Sequence, residues 1–138
     1  MSLSKSQYEA ERWWKTAQED LEVAGALHES GKFSHACFLS QHSSEKAMKA
    51  LWLSVDGDPW GHSIQKLVMQ FPQPEMLSDV QQWVEYAGFL DRFYIPTRYP
   101  NGLPDLTPGQ VYVANDSSQA IEKASFFLEE TRKLMRKE

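Results

Sequence analysis

The prolines constrain this chain more than any other feature. All seven lie between Pro59 and Pro108, at Pro59, Pro72, Pro74, Pro96, Pro100, Pro104 and Pro108. Proline inside a helix removes a hydrogen bond and clashes with the preceding turn, so long helices are confined to the ends of the chain and to the gap between Pro74 and Pro96. From Gln7 to Glu29 the only interior glycine is Gly25. Ala10, Trp13, Trp14, Ala17, Leu21, Ala24 and Leu27 recur there at helical spacing, on an arc of about 140°. Glu11, Lys15, Gln18, Glu22 and Glu29 lie off that arc. Ser30-Gly31-Lys32 closes this first helix, with Gly31 suited to a left-handed cap. A second helix is expected from Phe33 to Val55, ended by Asp56-Gly57-Asp58-Pro59. So short a connection makes the two antiparallel neighbours.

A short third helix follows His62 and runs to Phe71, with Ser63 as its N-cap; Pro72 and Pro74 stop it. A fourth spans Glu75 to Phe93, with Met76, Val80, Trp83, Val84, Ala87 and Leu90 on one face. The last runs from Asp116 to Lys137, with a stripe of Ala120, Ile121, Ala124, Phe127, Leu128, Thr131, Leu134 and Met135. Arg132, Lys133, Arg136 and Lys137 in its final turns suit the helix dipole. Between the fourth and last helices, Tyr94 to Asn115 carries four prolines and two glycines, and no helix is expected to survive them. So long a loop is often functional, and Tyr94, Ile95, Tyr99 and Tyr112 should pack it on the bundle. Gln110 to Ala114 reads as a short extended piece. The fold class is all-α, an up-and-down antiparallel helical bundle. It has four long helices, one short helix and a long proline-rich loop before the last helix, in one domain over residues 1–138.

Composition narrows the function. Of 138 residues, 41% are hydrophobic and 12% aromatic, enough for a packed core without metal or disulfide. The lone Cys37 rules out an intrachain disulfide and a multi-cysteine metal site. A net charge of −5 argues against coating duplex DNA, which needs a broad basic face. No stretch has the length of a membrane span, and Met1 to Tyr8 lacks the apolar run of a signal peptide, so a cytoplasmic location is expected. No zinc-protease, phosphate-loop or nucleophile-elbow motif is present. His35 and His42 are two turns apart, too far to share a metal. No cofactor and no metal are expected.

Several polar residues break the helical pattern. On the second helix Ala36, Ser40, Ser43, Ala47 and Ala50 form a small-residue face for close packing against the first or last helix, whose side chains are large. Opposite them, Phe38, Gln41, His42, Glu45, Lys49 and Trp52 fall within about 100° of one another. This stripe is either a solvated face or an interface or ligand wall; Phe38 and Trp52 are the interface candidates. Asp20 falls inside the apolar arc of the first helix and needs a partner, Lys46, Lys49 or Arg98. Arg98 lies in the stiff run Tyr94-Ile95-Pro96-Thr97-Arg98-Tyr99-Pro100. It either binds phosphate or stacks on a base, with the aromatic residues beside it, or pins the loop by pairing with Asp20 or Glu45. His62 should make a local hydrogen bond.

The ordered set of these residues resembles the HEPN family, the higher eukaryote and prokaryote nucleotide-binding domains, in its small stand-alone prokaryotic form. The resemblance runs through Trp14-x-x-Ala17-x-x-Asp20-Leu21-x-x-Ala24, Gly31-Lys32-Phe33 and Ala36-x-Phe38. Its most specific part is Gln41-x-x-x-Glu45-Lys46-x-x-Lys49-Ala50-Leu51. It continues with His62-Ser63-x-x-x-Leu67 and ends on Tyr94-Ile95-Pro96-x-Arg98-Tyr99-Pro100. It implies a helical bundle, usually homodimeric, that binds nucleotide or RNA, often beside a small nucleotidyltransferase in a toxin-antitoxin pair. The implied ligand-binding residues are Arg98, Tyr99, Tyr94, Lys46, Lys49, Glu45 and His42. Ribonuclease members carry Arg followed after four to six residues by His. Here Leu103, Pro104 and Asp105 occupy those positions, and no histidine follows His62. A general base is missing from its expected place. The expected function is therefore a non-catalytic binding module partnering a nucleotidyltransferase. One alternative is a metal-independent ribonuclease toxin with a displaced histidine, His42 acting with Arg98. Another is a purely structural or protein-interaction domain.

Overall fold

A computed structural model describes residues 3–136. Four long helices and two short ones follow one another: α1 Lys5–Glu29, α2 Phe33–Ser54, α3 Ile64–Met69, α4 Val80–Asp91, α5 Pro108–Val111 and α6 Ala114–Arg136. Single 3₁₀ turns lie at Pro74–Met76 and Pro100–Gly102. No strand is present among the described residues. No helix there is long and apolar enough to cross a membrane. The all-α bundle expected from the proline distribution is the observed architecture. Lys137, placed in the basic end of the last helix, lies outside the described residues.

Helix α2 is the central element, packed between α1 and α6. Its small face, Ala36, Ser40, Ser43, Ala47 and Ala50, is fully buried. On α1 the facing contact is made by small residues too, not large ones: Ala10, Ala17 and Ala24 recur every seven residues and are buried. The backbones approach closely enough for Ser43 Oγ to donate to the Ala17 carbonyl across the interface at 2.7 Å. The bulky side chains come from α6 and α4, where Phe127, Trp83 and Leu90 fill the core. Trp14 lies at the edge, its indole donating to the Leu128 carbonyl at 3.1 Å.

The turn between α1 and α2 is built as expected. Gly31 has φ +78°, and Lys32 N–H returns to the Leu27 carbonyl at 2.8 Å, the hydrogen bond of a Schellman cap. At the end of α2 the left-handed residue is Asp56, at φ 60°, rather than Gly57.

Two segments differ from the sequence reading. The expected helix from Glu75 to Phe93 is split: Met76 belongs to the 3₁₀ turn, and α4 starts only at Val80, after Asp79 in a left-handed conformation. Pro74 at the first position starts a 3₁₀ turn that ends at the extended Leu77, and the left-handed Asp79 then leads into α4. The proline-rich loop is also less irregular than expected. Pro108 begins the one-turn helix α5 rather than ending one, since its missing N–H costs nothing there. Thr107 and Gln110 cap it reciprocally. Residues 110 and 111 are therefore helical, and the extended piece expected for Gln110 to Ala114 is not formed. α6 begins at Ala114, with Asp116 accepting from Val113 N–H at 2.9 Å.

Candidate functional site

The α2 stripe opposite the small face is not solvated. Gln41 and Glu45 are buried beneath the α2–α3 connection. Gln41 Nε2 donates to the His62 carbonyl at 2.9 Å, and Glu45 Oε2 holds Lys49 at 2.9 Å and His62 Nδ1 at 3.2 Å. The second oxygen of Glu45 and the Gln41 side-chain oxygen are buried with no protein partner among the described residues. The His62 ring is largely exposed on its outer side and stacks on Tyr94, centroids 5.0 Å apart and planes 18° from parallel. Nδ1 being engaged by a carboxylate, Nε2 is the ring nitrogen turned outward.

Tyr94 joins this pair to the proline-rich segment. Its carbonyl accepts from Arg98 Nε at 2.9 Å. The Arg98 guanidinium lies 4.5 Å from the Tyr94 ring centre, 4.7 Å from Phe38 and 5.0 Å from Tyr99. Three rings thus surround the cation, while its four Nη hydrogens find no acceptor among the described residues. None of the ion pairs among those residues includes Arg98. Neither pairing considered for it, with Asp20 or with Glu45, is formed. A guanidinium held among rings, without a carboxylate and with its fork free, is suited to bind an anion.

His42 lies beside this cation. Its ring meets the edge of Phe38 at 4.2 Å. Burial pushes its imidazole below the ordinary value; Glu45 works in the opposite direction, and the Arg98 charge is a smaller contribution that also lowers it. At neutral pH it is an uncharged, half-buried ring.

The remaining candidates separate from Arg98. Lys46 Nζ bonds Asp20 at 2.7 Å, which identifies the partner of the anomalous carboxylate. It also lines a cleft with Glu9, Arg12, Trp13 and Thr16. Lys49 is bound by Glu45 and lies 5.8 Å from the centre of the Trp13 ring. Trp52 donates to the Leu67 carbonyl at 3.0 Å and packs edge-on against Phe71, so α3 covers it. Arg98, Tyr94, Tyr99, Phe38, His42 and Glu45 are thus brought together, and His62 joins them. Sequence reasoning gives His62 only a local hydrogen bond; the signal for its role is its place just before the α3 cap, where the chain returns along α2 beside Glu45. A groove of about 710 Å³ between α1 and α6 lies elsewhere. Its Arg132 is bound bidentately by Glu11 at 2.6 and 3.0 Å and is not a free anion-binding group.

The HEPN domain profile matches residues 10–136, and the chain belongs to the HEPN domain family. Among solved structures it is similar to TT1696 from Thermus thermophilus, with 31% identity and a TM-score of 0.86, covering 91% of this chain and 97% of that one. It is also similar to ST0689, an archaeal HEPN homologue, with 32% identity and a TM-score of 0.75, over 91% and 97% of the two chains. A HEPN domain protein from Thermotoga maritima, TM0613, shares the fold at 23% identity and a TM-score of 0.71, over 91% and 98%. No curated protein matches the sequence.

Proposed function

We propose that this protein is a nucleotide- or RNA-binding helical module, acting as a homodimer in the cytoplasm beside a small nucleotidyltransferase. The observation that carries this reading is Arg98, stacked among Phe38, Tyr94 and Tyr99 with its outer donors free and no carboxylate partner. Phosphate groups take such a fork, and nucleobases stack on rings of this kind. Lys46 and Lys49 support the site by neutralising Asp20 and Glu45, which keeps negative charge from competing with the ligand. The module is not catalytic, because the segment after Arg98 supplies no histidine.

The test is thermal unfolding of wild type and Arg98→Ala against nucleotides and short single-stranded RNA. A ligand at 100 times its dissociation constant adds about 2.7 kcal/mol. Stabilisation in wild type that disappears in Arg98→Ala is the expected result. Equal stabilisation of both proteins would remove Arg98 from the site.

One geometric feature favours a second reading, metal-free RNA cleavage. The displaced histidine would then be His62 rather than His42, since Glu45 orients His62 and leaves Nε2 outward, whereas His42 is packed on Phe38. Cleavage of RNA in the presence of chelator, lost in both Arg98→Ala and His62→Ala, would replace the non-catalytic reading.

A further inference from the structure

Below Arg98 a cleft of about 470 Å³ opens between the first turn of α2 and the proline-rich segment. Ser34, His35 and Phe38 line it from α2, Arg98 and Tyr99 from the loop, and Gly109 from α5. No carboxylate lines it, although acids outnumber bases by 19 to 14 in the chain. Ser34 is 3% exposed. Its hydroxyl makes no hydrogen bond among the described residues, unlike Ser40, Ser43 and Ser44 on the same helix. The Thr97 hydroxyl on the cleft wall is committed to the Phe93 carbonyl. The Ser34 hydroxyl is not one of the buried side-chain atoms left without a partner, so it opens to the cleft, where it is free to bond a ligand.

Ser34 also sits where the helix end is open. The N-cap of α2 is Lys32, which gives no side-chain acceptor to the first turn. The backbone N–H groups of Ser34 and His35 are among those a helix leaves unpaired, at its positive end. Ser34 and Phe38 are four residues apart and so share a face, and Arg98 lies over the Phe38 ring. Open amides, an uncommitted hydroxyl, an imidazole and a carboxylate-free guanidinium therefore surround one cleft.

We infer that this cleft is a phosphomonoester site, taking the terminal phosphate of a nucleotide or oligonucleotide while its base lies outside along Tyr99. The inference rests on the reading of Arg98 as an anion-binding group and specifies which end of the ligand it holds. A doubly charged terminal phosphate suits the convergence of helix dipole, guanidinium and several donors. An internal diester carries one charge and needs a chain exit on both sides, whereas α2, the Arg98 loop and α5 wall the cleft on three.

Amide NMR spectra of the wild-type protein, titrated with adenosine 5′-monophosphate, inorganic phosphate, adenosine and the diester adenylyl-adenosine, test the inference. Adenosine 5′-monophosphate should move the Ser34 and His35 amides, and adenosine should leave them in place. Inorganic phosphate moving the same amides supports the site, and equal affinity for both would identify free phosphate as its ligand. Ser34→Ala removes no internal hydrogen bond, so it should fold as wild type and bind the monophosphate roughly three- to tenfold more weakly. Unmoved Ser34 and His35 amides, or a diester bound as tightly as the monoester, would overturn the inference. If RNA binds in an Arg98-dependent way with these amides unmoved, the binding module stands and the phosphomonoester cleft falls. If phosphate moves them but no RNA binds, the cleft stands and RNA recognition falls.

Discussion

At the scale of single residues, burial decides what each charge is worth. Asp20 reads in sequence as a carboxylate inside an apolar arc, where loss of its partner would cost several kcal/mol. The structure leaves the Asp20 and Lys46 side chains 20% and 26% exposed, so water screens the pair. Asp20→Ala should therefore destabilise by only about 1 kcal/mol, measured by urea unfolding; a loss above about 3 kcal/mol would mean the pair is effectively dry. His42 gives a pH dependence of definite sign. Burial holds its folded pKa below the ordinary 6.5, so the unfolded chain binds the proton more readily. Stability should be full above pH 6.5, decline as pH falls from there toward the folded value, and level off below it. Unfolding curves between pH 7.5 and 5 should show this decline in wild type and less of it in His42→Gln. An equal decline in both would assign it to other groups. Cys37 is fully buried, and burial pushes its thiol up to about 12. The native protein should not react with a thiol reagent that labels the unfolded chain at once.

At the scale of elements, α3 shows how a short helix is held. Six residues cannot sustain a helix in water. The Asp91 carboxylate, at the end of α4, accepts from Ile64 N at 2.9 Å and Gln65 N at 3.0 Å. It also accepts from Ser63 Oγ at 3.0 Å and Gln41 Nε2 at 3.3 Å. Asp91→Ala strands these donors and should cost about 2–3 kcal/mol, with the Leu67 and Val68 amides losing hydrogen-exchange protection before those of α2. Uniform loss across the bundle would mean α3 does not open by itself. Sequence alone reveals the Ser63 cap, because it is local, but not Asp91, whose bonds span 26 to 50 residues. The same distinction runs through the fold. Periodic stripes on α1, α2 and α6 and the Gly31 turn are legible because each depends on neighbours three or four residues away. The break before α4 and the turn of α5 are not, because proline is compatible with starting a helix as well as stopping one. In the candidate site, Arg98 and its aromatic neighbours are legible as a local oddity. Sequence narrows the partner of Asp20 to three bases, and tertiary packing selects Lys46. Ser34 carries no signal, since a serine in the first turn of a helix is unremarkable until its hydroxyl is seen to lack an acceptor.

At the scale of the whole molecule, exposed apolar surface is unevenly distributed. Ile95, Tyr99, Leu106, Val111 and Val113 are each more than a third exposed, and all lie in the segment that carries Arg98. Other exposed large side chains, such as Val23, Trp60 and Met69, are scattered over separate elements. Apolar side chains concentrated on one segment mark an association surface. Trp52 is already covered by α3, so within the expected Phe38/Trp52 stripe it is the Phe38 end, under the Arg98 loop, that adjoins this surface. The proposed homodimer is therefore expected to form through the proline-rich segment, with the Arg98 cleft of each copy near the contact. Binding and dimerisation should then be linked, because a ligand that prefers the paired form draws protomers together. Light scattering at tens of micromolar should give twice the 15.9 kDa chain mass. The double substitution Ile95→Glu and Val113→Glu, at exposed positions that leave the core untouched, should give a monomer with unchanged helical content and weaker affinity for phosphorylated ligands. A wild-type protein that scatters as a monomer would place its self-association, if any, outside this surface. A double variant that remains dimeric would move the interface to another face of the bundle and free the Arg98 cleft from any dependence on it.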